Sequence, residues 1–177
     1  KAIRYIDEAI DSDAKDTDLF HIRGSILEEL NRFTEALEMY QKALELDPKN
    51  TKVRYSLGNV LEKSGRRKEA LAEMEKLLAE NPEDASALNF IGYTLSTMGK
   101  DLERSEKLVR KAVELKPDDG YILDSMAWIL FQAGKTDEAL EYLRKAIEKV
   151  KTDPVIAEHL GDVLLAKKDK SGAIEAY

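Results

Sequence analysis

Residues 17–50, TDLFHIRGSILEELNRFTEALEMYQKALELDPKN, hold two amphipathic helices joined by a short turn. In the first, over roughly 17–30, Leu19, Phe20, Ile22, Ile26 and Leu27 recur at helical spacing, and Asn31-Arg32 interrupts them with polar turn residues. The second runs from Thr34, read as an N-cap, to Leu46. Ala36, Leu37, Tyr40, Ala43 and Leu44 share one face, and Asp47-Pro48 ends it. Gly24 and Ala36 place one small residue on each helix, which predicts two antiparallel helices in close approach with no side chain between them.

The same register runs through the chain. Gly24 is followed by Gly58, Gly92, Ala127 and Gly161 at steps of 34, 34, 35 and 34, and Ala36 by Ala70, Ser105, Ala139 and Ala173 at steps of 34, 35, 34 and 34. Pro48, Pro82 and Pro117 keep the interval. A helical hairpin repeated at this period specifies an all-α solenoid. With its small-residue pair, the alanines Ala9, Ala43, Ala112 and Ala146 near the second-helix ends, and the closing prolines, the chain resembles the tetratricopeptide repeat over essentially its whole length. That resemblance implies a right-handed superhelix of antiparallel helix pairs.

Read in this register, 1–16 is the second helix of a truncated repeat, with Ala2, Ile6 and Ala9 falling 34 residues before Ala36, Tyr40 and Ala43. Complete repeats follow at 17–50, 51–84, 85–119 and 120–153, and 154–177 is a partial repeat. In the second, Arg54 replaces the bulky residue at Phe20 and Leu77 replaces the alanine. The third is one residue longer, and the extra residue is expected in the turn around Gly99-Lys100-Asp101. The fourth has Lys151 where the proline is expected, and the next helix opens at Asp153-Pro154, an N-cap followed by a first-turn proline. Starting and stopping inside hairpins predicts a segment of a longer protein.

Composition narrows the function classes. The 177 residues are 43% hydrophobic and 36% charged, with only 9 Gly and 4 Pro, which favours long helices and brief turns. No apolar run approaches the roughly 20 residues of a membrane span, so no direct span is expected in this segment. The absence of cysteine excludes disulfides, zinc–cysteine sites and thiol chemistry. The 28 basic and 35 acidic residues give a net charge of −7, which disfavours nucleic acid as a partner. His21 and His159 lie four repeats apart, too far to share a metal or a proton, and each reads as a surface or groove side chain. No acidic pair has a catalytic companion, so neither a catalytic residue, a metal site nor a cofactor is expected, and the chain reads as non-enzymatic. Arg66-Arg67-Lys68 and Lys167-Lys168-Lys170 read as solvated turn residues.

In tetratricopeptide arrays the first helices line the concave face, so the resemblance implies a groove for a protein or peptide partner. The groove residues expected on this basis are Tyr55, Asn59, Asn89, Phe90, Tyr93, Tyr121, Asp124, Trp128, Phe131 and Gln132. In 121–132, Leu123, Met126, Ala127 and Leu130 already complete a core stripe, so Tyr121, Trp128 and Phe131 are apolar surface in excess. The rings would anchor a partner, while Asn59, Asn89, Asp124 and Gln132 would bond its backbone. The family's clamp for the C-terminal carboxylate of heat-shock proteins is not matched. Its positions here fall on His21, Ser25, Ser56, Ser86 and Phe90, or, one repeat later, on Tyr55, Asn59, Phe90, Tyr121 and Ser125, without the required charges. Two other readings stand beside a binding scaffold: an architectural array whose copies associate through exposed ends, and a regulatory module of a larger enzyme.

From Ala87 onward the chain resembles a narrower group, the C-terminal repeats of large bacterial tetratricopeptide proteins, many of them lipoproteins of the Gram-negative envelope. GYTL before the longer turn, LDSMAW, and DPVIAEHLGDVL carry this likeness. The group has LDSxGW where this chain has Ala127. Some members are adaptors for partner enzymes such as a periplasmic C-terminal processing protease. The resemblance implies an envelope scaffold, with a cytoplasmic location as the alternative.

Overall fold

The computed structural model describes residues 2–177; Lys1 lies outside the described residues, as does the Ala2 side chain on which part of the N-terminal register rested. Among the described residues the secondary structure is helical throughout, and the chain divides into two compact units, Lys1–Pro82 and Glu83–Tyr177.

The first unit contains α1 (Ala2–Ser12), α2 (Thr17–Glu29), α3 (Phe33–Leu46), α4 (Thr51–Lys63) and α5 (Arg67–Glu80). Here α2 pairs with α3 and α4 with α5, while α1 packs on α2 and α3 on α4. Leu27, Tyr40, Val53, Val60 and Met74 are completely enclosed between them. The second unit contains α6 (Ala85–Thr97), α7 (Leu102–Leu115), α8 (Gly120–Gln132), α9 (Thr136–Lys149), α10 (Pro154–Ala166) and α11 (Lys170–Ala176). Its hairpins are α6–α7, α8–α9 and α10–α11, and α8 packs against both α6 and α10. Ile91, Val109, Met126, Ile129, Leu130, Leu143 and Ile156 fill this core.

Helix starts follow from local chemistry. The first helices of successive hairpins are capped by the side chains of Asp16, Asn50, Asp84, Asp119 and Asp153, each accepting from amides in the first turn. The second helices α3, α5 and α9 follow Arg32, Arg66 and Lys135, which give no side-chain cap. Arg32 and Arg66 instead make paired hydrogen bonds to Glu35 and Glu69, three residues on.

The turns within hairpins also share one geometry. Asn31, Gly65, Gly99, Gly134 and Lys168 all have positive φ, at 56°, 80°, 65°, 76° and 65°. In each turn the next amide reaches back to a first-helix carbonyl, as from Arg32 to Leu27 and from Lys100 to Leu95, which closes the helix end. In the third hairpin α6 and α7 keep the lengths of the other first and second helices, 13 and 14 residues, so the extra residue is confined to the turn. It is accommodated at Asp101, itself at φ 43°, whose carboxylate accepts from the Arg104 amide. The insertion thus supplies the acidic cap that α3, α5 and α9 lack.

The small-residue register works differently from its expectation. The space beside Gly24 is filled by the Tyr40 ring, beside Gly58 by Met74, beside Gly92 by Val109 and beside Gly161 by Tyr177. A side chain from the second helix therefore does lie between the two, and the glycine is the recess that receives it. Arg54, in the slot of Phe20, is accommodated by polar partners: it donates to Glu73 at 2.9 Å and to the Pro48 carbonyl, while its Nε is buried without a partner.

Candidate functional site

Three first helices, α6, α8 and α10, stand side by side in the second unit. Their facing side chains form a polar and aromatic network around Trp128. The indole stacks on the His159 ring with centroids 4.2 Å apart and planes at 16°, and it lies 5.7 Å from the Phe131 ring. His159 Nδ1 is 2.8 Å from Asp124 Oδ1, and both side chains are buried. In the amide orientation that satisfies its neighbours, Gln132 donates to the Ser96 carbonyl at 3.2 Å and accepts from Trp128 Nε1 at 2.6 Å. One indole is thus bonded toward α6 on one side and stacked toward α10 on the other. Tyr121, at the start of α8, remains 57% exposed.

A related arrangement links α2, α3 and α4 in the first unit. His21 Nε2 is 3.0 Å from Ser56 Oγ, and the Tyr40 hydroxyl donates to Glu28 at 2.9 Å and lies 3.3 Å from Ser25 Oγ. Lys63 completes the group by donating to Glu28 at 2.7 Å. Burial, which disfavours charge on the ring, holds the His21 pKa below its ordinary value, and nearby Lys52 adds to the effect. Burial likewise pushes the Tyr40 hydroxyl up to about 12, with the charge of Glu28 acting in the same direction.

The periodic hairpins point to one family. Sequence profiles described as tetratricopeptide repeat match residues 27–92 and 85–119, and one profile alone matches 1–51 and 125–177, more than half of the chain. The chain belongs to the tetratricopeptide repeat family. Over 58 residues it is 45% identical to the TPR repeat-containing protein PA4667 of Pseudomonas aeruginosa, a match covering 33% of this chain and 10% of that protein. It therefore spans about a tenth of the length of this relative. Among solved structures, the tetratricopeptide protein TTC0263 of Thermus thermophilus superposes with a TM-score of 0.81 at 22% identity, covering 92% of this chain and 88% of that one. YrrB, a tetratricopeptide protein described as having an unusual peptide-binding site, gives 0.66 at 25% identity, with 97% and 88% covered. PilW, described as a widely conserved type IV pilus biogenesis factor, gives 0.81 at 21% identity, with 97% and 79% covered.

Within this tetratricopeptide array the ten residues expected to contact a partner have different situations. Tyr55 and Asn59 lie half-buried on α4 in the first unit; the other eight are on α6 and α8 in the second. Phe90, Tyr93, Trp128 and Phe131 are half-buried, and the Asn89 side-chain oxygen is enclosed without a hydrogen bond. Asp124 is a correction: it is 6% exposed and committed to His159, so it is not an open acceptor for a partner's backbone. Gln132 is exposed but already bonded to Ser96 and Trp128. His21 and His159 are also corrections, since both are buried rather than surface side chains, each held by a polar group on the neighbouring first helix.

The sequence contained a signal for these pairs. His21–Ser56 and Asp124–His159 are both separated by 35 residues, one more than the repeat, because a first helix meets the next one shifted by a single position. Among the described residues no group of three or more His, Asp or Glu side chains is placed to hold a metal ion, and no helix is long and apolar enough to cross a membrane.

Proposed function

We propose that this chain is a non-catalytic protein-binding scaffold that receives a partner segment on the first-helix face of the second unit. The observation that carries this reading is the surplus of rings on α8. Leu123, Met126, Ala127 and Leu130 are buried and complete its core stripe, yet Tyr121 is left largely exposed and Trp128 and Phe131 half-exposed. Large rings with a polar edge are the usual anchors of protein interfaces, because they bury much apolar area with few rotors to immobilise. Phe90 and Tyr93 on α6 extend the same aromatic character. On α4 of the first unit, Tyr55 and Asn59 would serve a partner in the same way. Membership of the tetratricopeptide family and the description of YrrB as peptide-binding support a binding role over a catalytic one.

The test is selection of a phage-displayed random peptide library on the whole chain, repeated on a Tyr121→Ser variant whose circular dichroism matches the wild type. The expected result is a set of peptides retained by the wild type and depleted on the variant. Equal retention on both, or no retained peptide, would overturn the assignment.

A further inference from the structure

We infer that the segment received on the face of α6 and α8 is uncharged, made of apolar and small polar residues with no Lys, Arg, Asp or Glu at its centre. The inference rests on the protein-binding reading above and narrows its ligand. Charge is nearly absent from these two helices. Each has 13 residues, and the sole charged side chain in either is Asp124, in a chain of which 36% is charged. Asp124 is buried and bonded to His159, so it lends the surface no open charge.

The charge of this unit lies on the neighbouring elements. The basic residues of the second helices pair with acids beside them: Lys107 with Glu103, Arg110 with Glu106 and Glu138, and Lys149 with Asp118. Lys116, just past α7, reaches Ser86 at 3.5 Å, which places its ammonium at one edge, by the start of α6. On the far side of α8 the uncharged strip ends at α10, which carries Glu158 and Asp162.

The polar groups of the strip are turned inward. The hydroxyls of Ser96, Thr97 and Ser125 donate to the carbonyls of Tyr93, Thr94 and Tyr121 in their own helices, and Gln132 is held between Ser96 and Trp128. What is left for a guest is ring surface. Tyr93 and Trp128 hold the same register position on α6 and α8 and are both half-buried, and Tyr121 is 57% exposed. Because α8 is flanked by α6 on one side and α10 on the other, Tyr121 stands open with both neighbouring first helices in place. Asn89 on α6 adds an unmet polar group, since its side-chain oxygen is enclosed without a hydrogen bond. Rotation of that amide toward a guest's backbone N–H would supply the missing bond, a gain made only on binding. An apolar side chain gains by covering the rings. A charged one of either sign would shed water and meet no counter-charge.

The peptides selected on the whole chain provide the test, read now for composition. Those depleted on Tyr121→Ser should contain fewer Asp, Glu, Lys and Arg residues than the starting library. A representative peptide, resynthesised with a fluorophore, should keep its Kd by anisotropy within about twofold as salt is raised. Replacing its central residue by Lys and, separately, by Glu should each weaken binding about tenfold beyond the effect of Gln at the same place. Face-dependent peptides enriched in either charge, a Kd that rises steeply with salt, or a central Lys or Glu tolerated as well as Gln would overturn the uncharged preference while leaving the binding face intact. The absence of any face-dependent peptide would remove both.

Discussion

At the scale of single residues, Gly58 and Gly92 occupy the same register position but face different neighbours. A methyl group at Gly58 meets the terminal carbon of Met74, a flexible side chain that can swing aside. At Gly92 it would lie 2.5 Å from the stiff, branched Val109 side chain and 2.9 Å from the Ser105 carbonyl oxygen, part of the backbone. Alanine is a better helix former than glycine by about 1 kcal/mol, so Gly58→Ala should be neutral or stabilising. Gly92→Ala should cost about 1–3 kcal/mol, because backbone must move. Urea denaturation of the two variants checks the contrast; equal effects would count against it. His21 supplies a pH dependence. Its folded pKa is lowered from the ordinary 6.5, so the unfolded chain binds the proton more readily. Its contribution to stability is complete above that value and declines as pH falls below it. His21→Gln should flatten this acid limb in thermal melts taken from neutral to mildly acidic pH. The small residues themselves were legible in the sequence because they recur. What fills each recess was not, since the shared position holds a ring at Tyr40 and Tyr177 but a flexible thioether at Met74 and a short branched side chain at Val109.

At the scale of elements, the turns decide how helices of fixed length join. Four of the five recurring positive-φ positions carry Gly or Asn, which tolerate the left-handed region, and the fifth carries Lys168. A side chain with a Cβ costs about 1–2 kcal/mol there. Lys168→Gly should therefore raise the melting temperature without altering helix content; a lower one would mean that the lysine side chain contributes more than its backbone strain removes. The helix pattern and the location of the longer turn were readable from periodicity and polar interruptions. Asp101 as a cap was not, because an Asp after a turn signals a helix start only when its carboxylate faces the free amides, and that depends on the additional left-handed residue. The shifted meeting of first helices was equally hidden behind the repeat: a period of 34 draws the eye to equivalent positions, whereas contact falls between residues 35 apart.

Across the whole molecule, the repeat identifies the family and the hairpins, but it runs through Pro82 and Glu83 without interruption, so the division into two compact units has no counterpart in the pattern. The aromatic surplus of α8 was legible by subtracting the core stripe. Its internal ties were not, because Asp124 and Gln132 look available until His159, Ser96 and Trp128 are seen around them. Trp128 is the only tryptophan in the chain. Its indole is sandwiched at the junction of neighbouring hairpins, beside the face assigned to the partner. The chain consequently contains a single indole among seven tyrosines, excited selectively at wavelengths the tyrosines do not absorb and located where the proposed partner would arrive. Emission colour and quenching would report local hydration and the company of the imidazole without any attached dye, and no second indole would blur the signal.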